Sequence, residues 1–106
     1  MPEVHNIQER ITAAGSSEDW RVWLTKRLNH AGFTDIREDH QKFHADYRDR
    51  TQNGRVVITL QEINATRTLL HISTTASRAH RFATATSSCR GLSMTVRAAL
   101  TQNDLR

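Results

Sequence analysis

The sequence predicts a two-layer α+β sandwich of order α-α-β-β-β-α, with a three-stranded antiparallel meander and the helices on one of its faces. Three observations predict it. Apolar residues recur at helical spacing near both ends of the chain, they alternate with polar residues through the middle, and Asn53-Gly54 lies between two alternating runs. At 106 residues the chain is expected to form a single domain, 1–106, with one modest core.

Val4, Ile7, Ile11 and Ala14 fit one helix face, and Gly15 fits a C-cap, so a short helix is predicted over 1–15. Ser16-Ser17-Glu18-Asp19 is a helix start with acids in the first turn. The second helix then spans 17–31 and ends at Gly32. Trp20, Trp23, Leu24, Leu28 and Ala31 share its apolar face, and Arg27 lies within that face, where stacking on an indole accounts for it. The Trp20-x-x-Trp23 pair reads either as core or as an exposed stacking surface.

The meander is predicted over 42–75, with 34–38 extended ahead of it. Phe43, Ala45 and Tyr47, then Val56, Ile58 and Leu60, then Leu70 and Ile72 form one apolar face. Asn-Gly is a strong two-residue hairpin signal, and a turn at 53–54 sets Tyr47 opposite Leu60. A loop at Asn64-Ala65-Thr66 sets Leu60 opposite Leu70, Ile58 opposite Ile72 and Thr59 opposite His71. The last helix is predicted over 77–101, with Phe82, Ala85, Cys89, Leu92, Val96, Ala99 and Leu100 as its stripe.

The N-terminus lacks the pattern of a secretory signal, and no run approaches the ~20 apolar residues of a membrane span. Cys89 is the single cysteine, so no internal disulfide can form. A cytoplasmic protein without membrane association is the expectation. His40 and His44 are four residues apart, but on an extended segment that is ~13 Å, too far to share one ion. No metal, no cofactor and no catalytic residue is predicted, because no residue pair is arranged for acid–base or nucleophilic chemistry.

Charge carries the functional expectation. The formal net charge is +4, and thirteen of the fifteen basic residues are Arg, which suits forked contacts to phosphate and carboxylate. The uncovered sheet face is predicted to carry Lys42, His44, Arg48, Arg50, Arg55, Arg67 and His71, opposed only by Asp46. Arg78 and Arg81 are placed at the start of the last helix, where basic residues oppose the dipole unless an anion is present. The expectation is a non-enzymatic, nucleic-acid-binding module that contacts the phosphate backbone through Lys42, Arg48, Arg50, Arg55, Arg67, His71, Arg78 and Arg81.

The order α-β-β-β-α with a basic start to the last helix is similar to that of double-stranded-RNA-binding domains. The likeness is one of topology: Ser77-Arg78-Ala79-His80-Arg81 stands where that family has a Lys-Lys-x-Ala-Lys run. The alternative is an interaction or assembly module, with a homodimer as its simplest form. It would use the open face, where Ile63 and Leu69 point outward, or strand 67–75 as a free edge. An enzyme would require a polar pocket between helix 17–31 and the sheet.

Overall fold

A computed structural model describes residues 4–48, 53–77 and 85–101. Its elements are β1 (Val4–Ala14), α1 (Ser17–His30), β2 (Thr34–Asp39), β3 (Lys42–Arg48), β4 (Asn53–Asn64), β5 (Arg67–Ser77) and α2 (Ala85–Thr101). The strands form one five-stranded antiparallel sheet in the order β1-β5-β4-β3-β2. The three-stranded α-α-β-β-β-α arrangement is therefore corrected at both ends.

The first correction is the N-terminal segment. It is a strand that pairs with β5 from Val4↔Ser77 to Ala14↔Arg67. His5, Ile7, Glu9, Ile11 and Ala13 are half-buried, while Asn6, Gln8, Arg10 and Thr12 are exposed, which is the period of a strand. An isolated helix of this length is marginal in water, and cross-strand pairing overrides its helical pattern. Strand 67–75, expected as a free edge, consequently lies inside the sheet between β1 and β4. The second correction is β2, which adds a fifth strand along β3 and makes the other edge.

Gly15 ends no helix; it turns the chain from β1 into α1 at φ +117°. Its N–H donates to Thr66 O at 2.7 Å, and Thr68 Oγ1 donates to Gly15 O at 2.8 Å. A Cβ here would lie 2.5 Å from the Trp23 ring, so the turn excludes a side chain on two grounds. Ser16 caps α1 by accepting from Asp19 N at 3.1 Å. At the other end Phe33 N donates to Leu28 O and Gly32 N to Asn29 O, a Schellman closure.

Both helices cover the same sheet face. Trp20, Leu24 and Leu28 from α1 and Cys89, Leu92, Val96 and Leu100 from α2 are buried against Phe43, Ala45, Val56, Ile58, Leu60, Leu70 and Ile72. The inner face agrees with the sequence reading, as do Leu60↔Leu70, Ile58↔Ile72 and Thr59↔His71. The pairing of β3 with β4 does not. Tyr47 stands opposite Gly54 and Phe43 opposite Ile58, so Asn53-Gly54 opens β4 and is not the turn. The reason lies in Gly54 itself: a Cβ there would meet Thr75 O and stand 2.6 Å from Leu92 Cδ2. The glycine serves close approach of helix and sheet, not a hairpin.

Ser77 belongs to β5, so the last helix does not begin there, and the expected Phe82 contact lies outside the described residues. No helix among the described residues is long and apolar enough to cross a membrane.

Candidate functional site

The uncovered face of the sheet is organised in cross-strand rows. In the antiparallel register Arg10, His71, Thr59, Lys42 and Asp39 form one row through all five strands. Gln8, Ser73, Val57, His44 and Arg37 form the next, followed by Asn6, Thr75, Arg55 and Asp46. Asn6 Nδ2 ties the β1 side together, donating to Ser73 Oγ at 3.0 Å and Thr75 Oγ1 at 2.8 Å.

These rows separate the basic residues expected to act together. Lys42 and His71 share a row. Arg48 lies opposite Asn53, which lies opposite Ser77, whereas Arg67 lies opposite Ala14 and Asn64 at the other end of β5. Ten residues of strand, roughly 33 Å, divide the Arg67 row from the Arg48 row. Arg50, Arg78 and Arg81 lie outside the described residues. Arg55 is engaged by an acid: its Nε donates to Asp46 Oδ1 at 2.9 Å, and that bond raises the pKa of the guanidinium.

The Trp pair divides as well. Trp20 is buried, and its Nε1 donates to Ala14 O at 3.0 Å; Trp23 is half-buried and meets Trp20 edge-on at 5.5 Å between centroids. The indole beneath Arg27 is that of Trp20, with Cζ 5.2 Å from the ring centroid.

A cavity of about 700 Å³ opens at the end of the sheet where β3 stops and β4 starts. Asp46, Tyr47 and Arg48 from β3 and Arg55 from β4 line it, with Thr34 from β2 and Thr75 from β5. Two local features shape it. Asp35 adopts φ +50°, and the β2–β3 register shifts between Thr34 and Arg37, so β2 does not follow β3 evenly at this end. Tyr47 leans on Phe33 at 4.9 Å between ring centroids, which fixes an aromatic wall. The cavity thus combines an aromatic surface, an Asp–Arg pair, a second guanidinium and two hydroxyls. Sequence reading marked Arg48, Arg55 and the opposing Asp46 but missed Thr34 and Tyr47. Tyr47 keeps its place on the inner face, but its partner is Gly54 and not Leu60, which brings it to the sheet end.

A smaller cavity, about 260 Å³, lies on the open face, lined by Gln8, Lys42, Val57, Thr59, His71 and Ser73. His71 Nε2 is 3.3 Å from Gln8 Oε1 there.

No protein-family model matches this chain, and no curated protein matches it. Among solved structures it is similar to the Zhui aromatase/cyclase from Streptomyces sp. R1128, at 10% identity and a TM-score of 0.52, covering 92% of this chain and 87% of that one. The expectation of a nucleic-acid-binding module is overturned. The order shared with double-stranded-RNA-binding domains is absent, the basic residues among those described are dispersed, and the fold is one found in an aromatase/cyclase. The assembly alternative loses its free edge, because 67–75 is paired on both sides. What the comparison and the strand order together establish is the fold: a small helix-grip-like domain, in which a five-stranded antiparallel sheet holds a C-terminal helix.

Proposed function

We propose that this domain binds a small, planar, oxygen-bearing organic ligand in the cavity at the sheet end. The observation that carries the reading is that Arg48 and the Asp46–Arg55 pair from the open side of the sheet, and Tyr47 from its helix-covered side, all border one space of about 700 Å³ at the strand ends. That volume falls in the range of small-molecule sites, which combine apolar walls with a few convergent polar groups. The Tyr47 ring offers a stacking surface. Arg48 offers a forked donor for a carboxylate or an enolate oxygen. Asp46 holds Arg55 in place and accepts from a ligand hydroxyl. Thr34 and Thr75 add hydroxyls that either donate or accept.

The fold supports the ligand class, since the similar structure is that of an aromatase/cyclase. Binding is the activity proposed. A reducing cytoplasm is the compartment that the single, buried Cys89 fits.

The test is a titration of the ¹⁵N-labelled protein with planar aromatic acids and phenols, starting with 2-naphthoate. Saturable shifts are expected at Asp46, Tyr47, Arg55 and Thr75, with affinity for the acids reduced about tenfold by Arg48→Gln. If no compound in the panel shifts these amides saturably, the reading is wrong.

A further inference from the structure

We infer that the open face of the sheet carries a second site, separate from the sheet-end cavity, which takes the phosphate group of a small molecule. Its centre is the row Lys42–Thr59–His71 on β3, β4 and β5. Neighbouring strands are about 4.8 Å apart, so the backbones of Lys42 and His71 stand roughly 10 Å from each other with Thr59 between them. Lys42, Thr59 and His71 line one space together, and the backbone spacing leaves room for a phosphate between the two outer side chains.

The donors differ in kind from those of the sheet-end cavity. The cation is a Lys, a compact charge with three rotatable N–H donors, and not a planar fork matched to a carboxylate. Hydroxyls come from Thr59 and Ser73, and Ser73 lies diagonal to Thr59 in the adjacent row. Gln8 Oε1, 3.3 Å from His71 Nε2, orients the ring. Arg10, opposite His71 on β1, supplies a further positive charge at the rim.

The opposing charge is also defined. Asp39 stands opposite Lys42 on β2, and its carboxylate lies 3.7 Å from His40 Nε2. Among the described residues Lys42 makes no ion pair. Val57 completes the lining with an apolar floor, where the organic part of a phosphate ester would rest. A space of about 260 Å³ holds a phosphate and a small substituent. The two spaces share no lining residue; their nearest members, Val57 with Arg55 and Ser73 with Thr75, are two strand residues (~7 Å) apart, so Gln8, Thr59 and His71 report this site most directly and Asp46 and Tyr47 the other.

The test uses the ¹⁵N-labelled protein with inorganic phosphate, phenyl phosphate and, at matched ionic strength, sodium acetate. Phosphate is expected to shift the amides of Gln8, Thr59, His71 and Ser73 saturably, and acetate is not. Lys42→Met and His71→Asn should each weaken phosphate binding about tenfold, whereas Arg67→Gln, at the far end of β5, should leave it unchanged. Tighter binding of phenyl phosphate identifies an ester as the ligand, and equal binding identifies free phosphate; both support the site. The inference is overturned if no saturable shift appears at those four amides, if acetate shifts them equally, or if Arg67→Gln weakens binding as much as Lys42→Met. Because Asp46 and Tyr47 report the other cavity, either site can fail while the other stands.

Discussion

Arg27 of α1 ends the last helix: its Nη1 donates to Ala99 O at 3.1 Å and to Leu100 O at 3.2 Å. The last four carbonyls of a helix have no partner within it, and a cation at that end also meets the negative pole of the dipole. Arg27 is 4% exposed, so these bonds are made away from water. Replacing it with Met keeps the bulk but strands two buried carbonyls and removes the charge above Trp20. Arg27→Met is expected to cost about 2–4 kcal/mol in urea unfolding. A loss under ~0.5 kcal/mol would show that the carbonyls find water instead.

Glu9 sets the acid side of the stability profile. It faces inward from β1, accepts a hydrogen bond from Ser93 Oγ and pairs with Arg97 on α2. The Ser93 bond holds its pKa below the ordinary 4.5; partial burial opposes this, and Arg97 adds to the lowering. A folded-state pKa below the unfolded one means that the unfolded chain takes up the proton first as pH falls. The contribution of Glu9 is therefore complete above 4.5 and is lost as pH drops through the lower folded value. Glu9→Gln should lower stability at neutral pH and flatten the dependence below 4.5. Thermal melts of both proteins from neutral pH into that acid range check the sign.

Gly54→Ala should be destabilising although alanine is the better strand residue. The added methyl would meet Thr75 O and Leu92 Cδ2, and backbone cannot yield as a side chain can. A cost of about 1–3 kcal/mol is expected. Pairing it with Leu92→Ala tests the cause, because the two penalties should then be less than additive.

Thr68 is fully buried and donates to Gly15 O, so it holds the turn between β1 and α1. Thr68→Val preserves shape but leaves that carbonyl without its donor. A loss of about 1–2 kcal/mol is expected by chemical denaturation, whereas Thr12→Val, on the exposed side of β1, should change little.

How far the fold could be read depended on where each signal resides. The β4–β5 hairpin was legible because a short loop and an apolar alternation fix its register locally. The inner face of β3 was also legible, but its partner was not. Moving Tyr47 from Leu60 to Gly54 is a slip of six residues, and an even slip leaves every side chain on its own face. Alternation therefore cannot detect it. β1 was misread because Glu9 occupies an inward position of the strand. A carboxylate is acceptable there only through Ser93 and Arg97, which lie more than eighty residues away in sequence. The candidate sites divided in the same manner. The charged residues were visible as a list, but their grouping into Arg48 with Arg55, and Lys42 with His71, depended on that register.

The pairing of β1 with β5 also has a consequence for biosynthesis. Ile7 stands opposite Thr74, so of the strands in this sheet the one synthesised first must wait for the one synthesised last. Until β5 emerges, β1 lacks its partner strand, and Glu9 waits longer still, for the Ser93 hydroxyl and the Arg97 charge on α2. Such distant pairings slow folding, because loop closure must be met before the contacts form. A nascent chain interrupted before Arg67 would carry an uncovered β-strand, and that is the species a chaperone would hold.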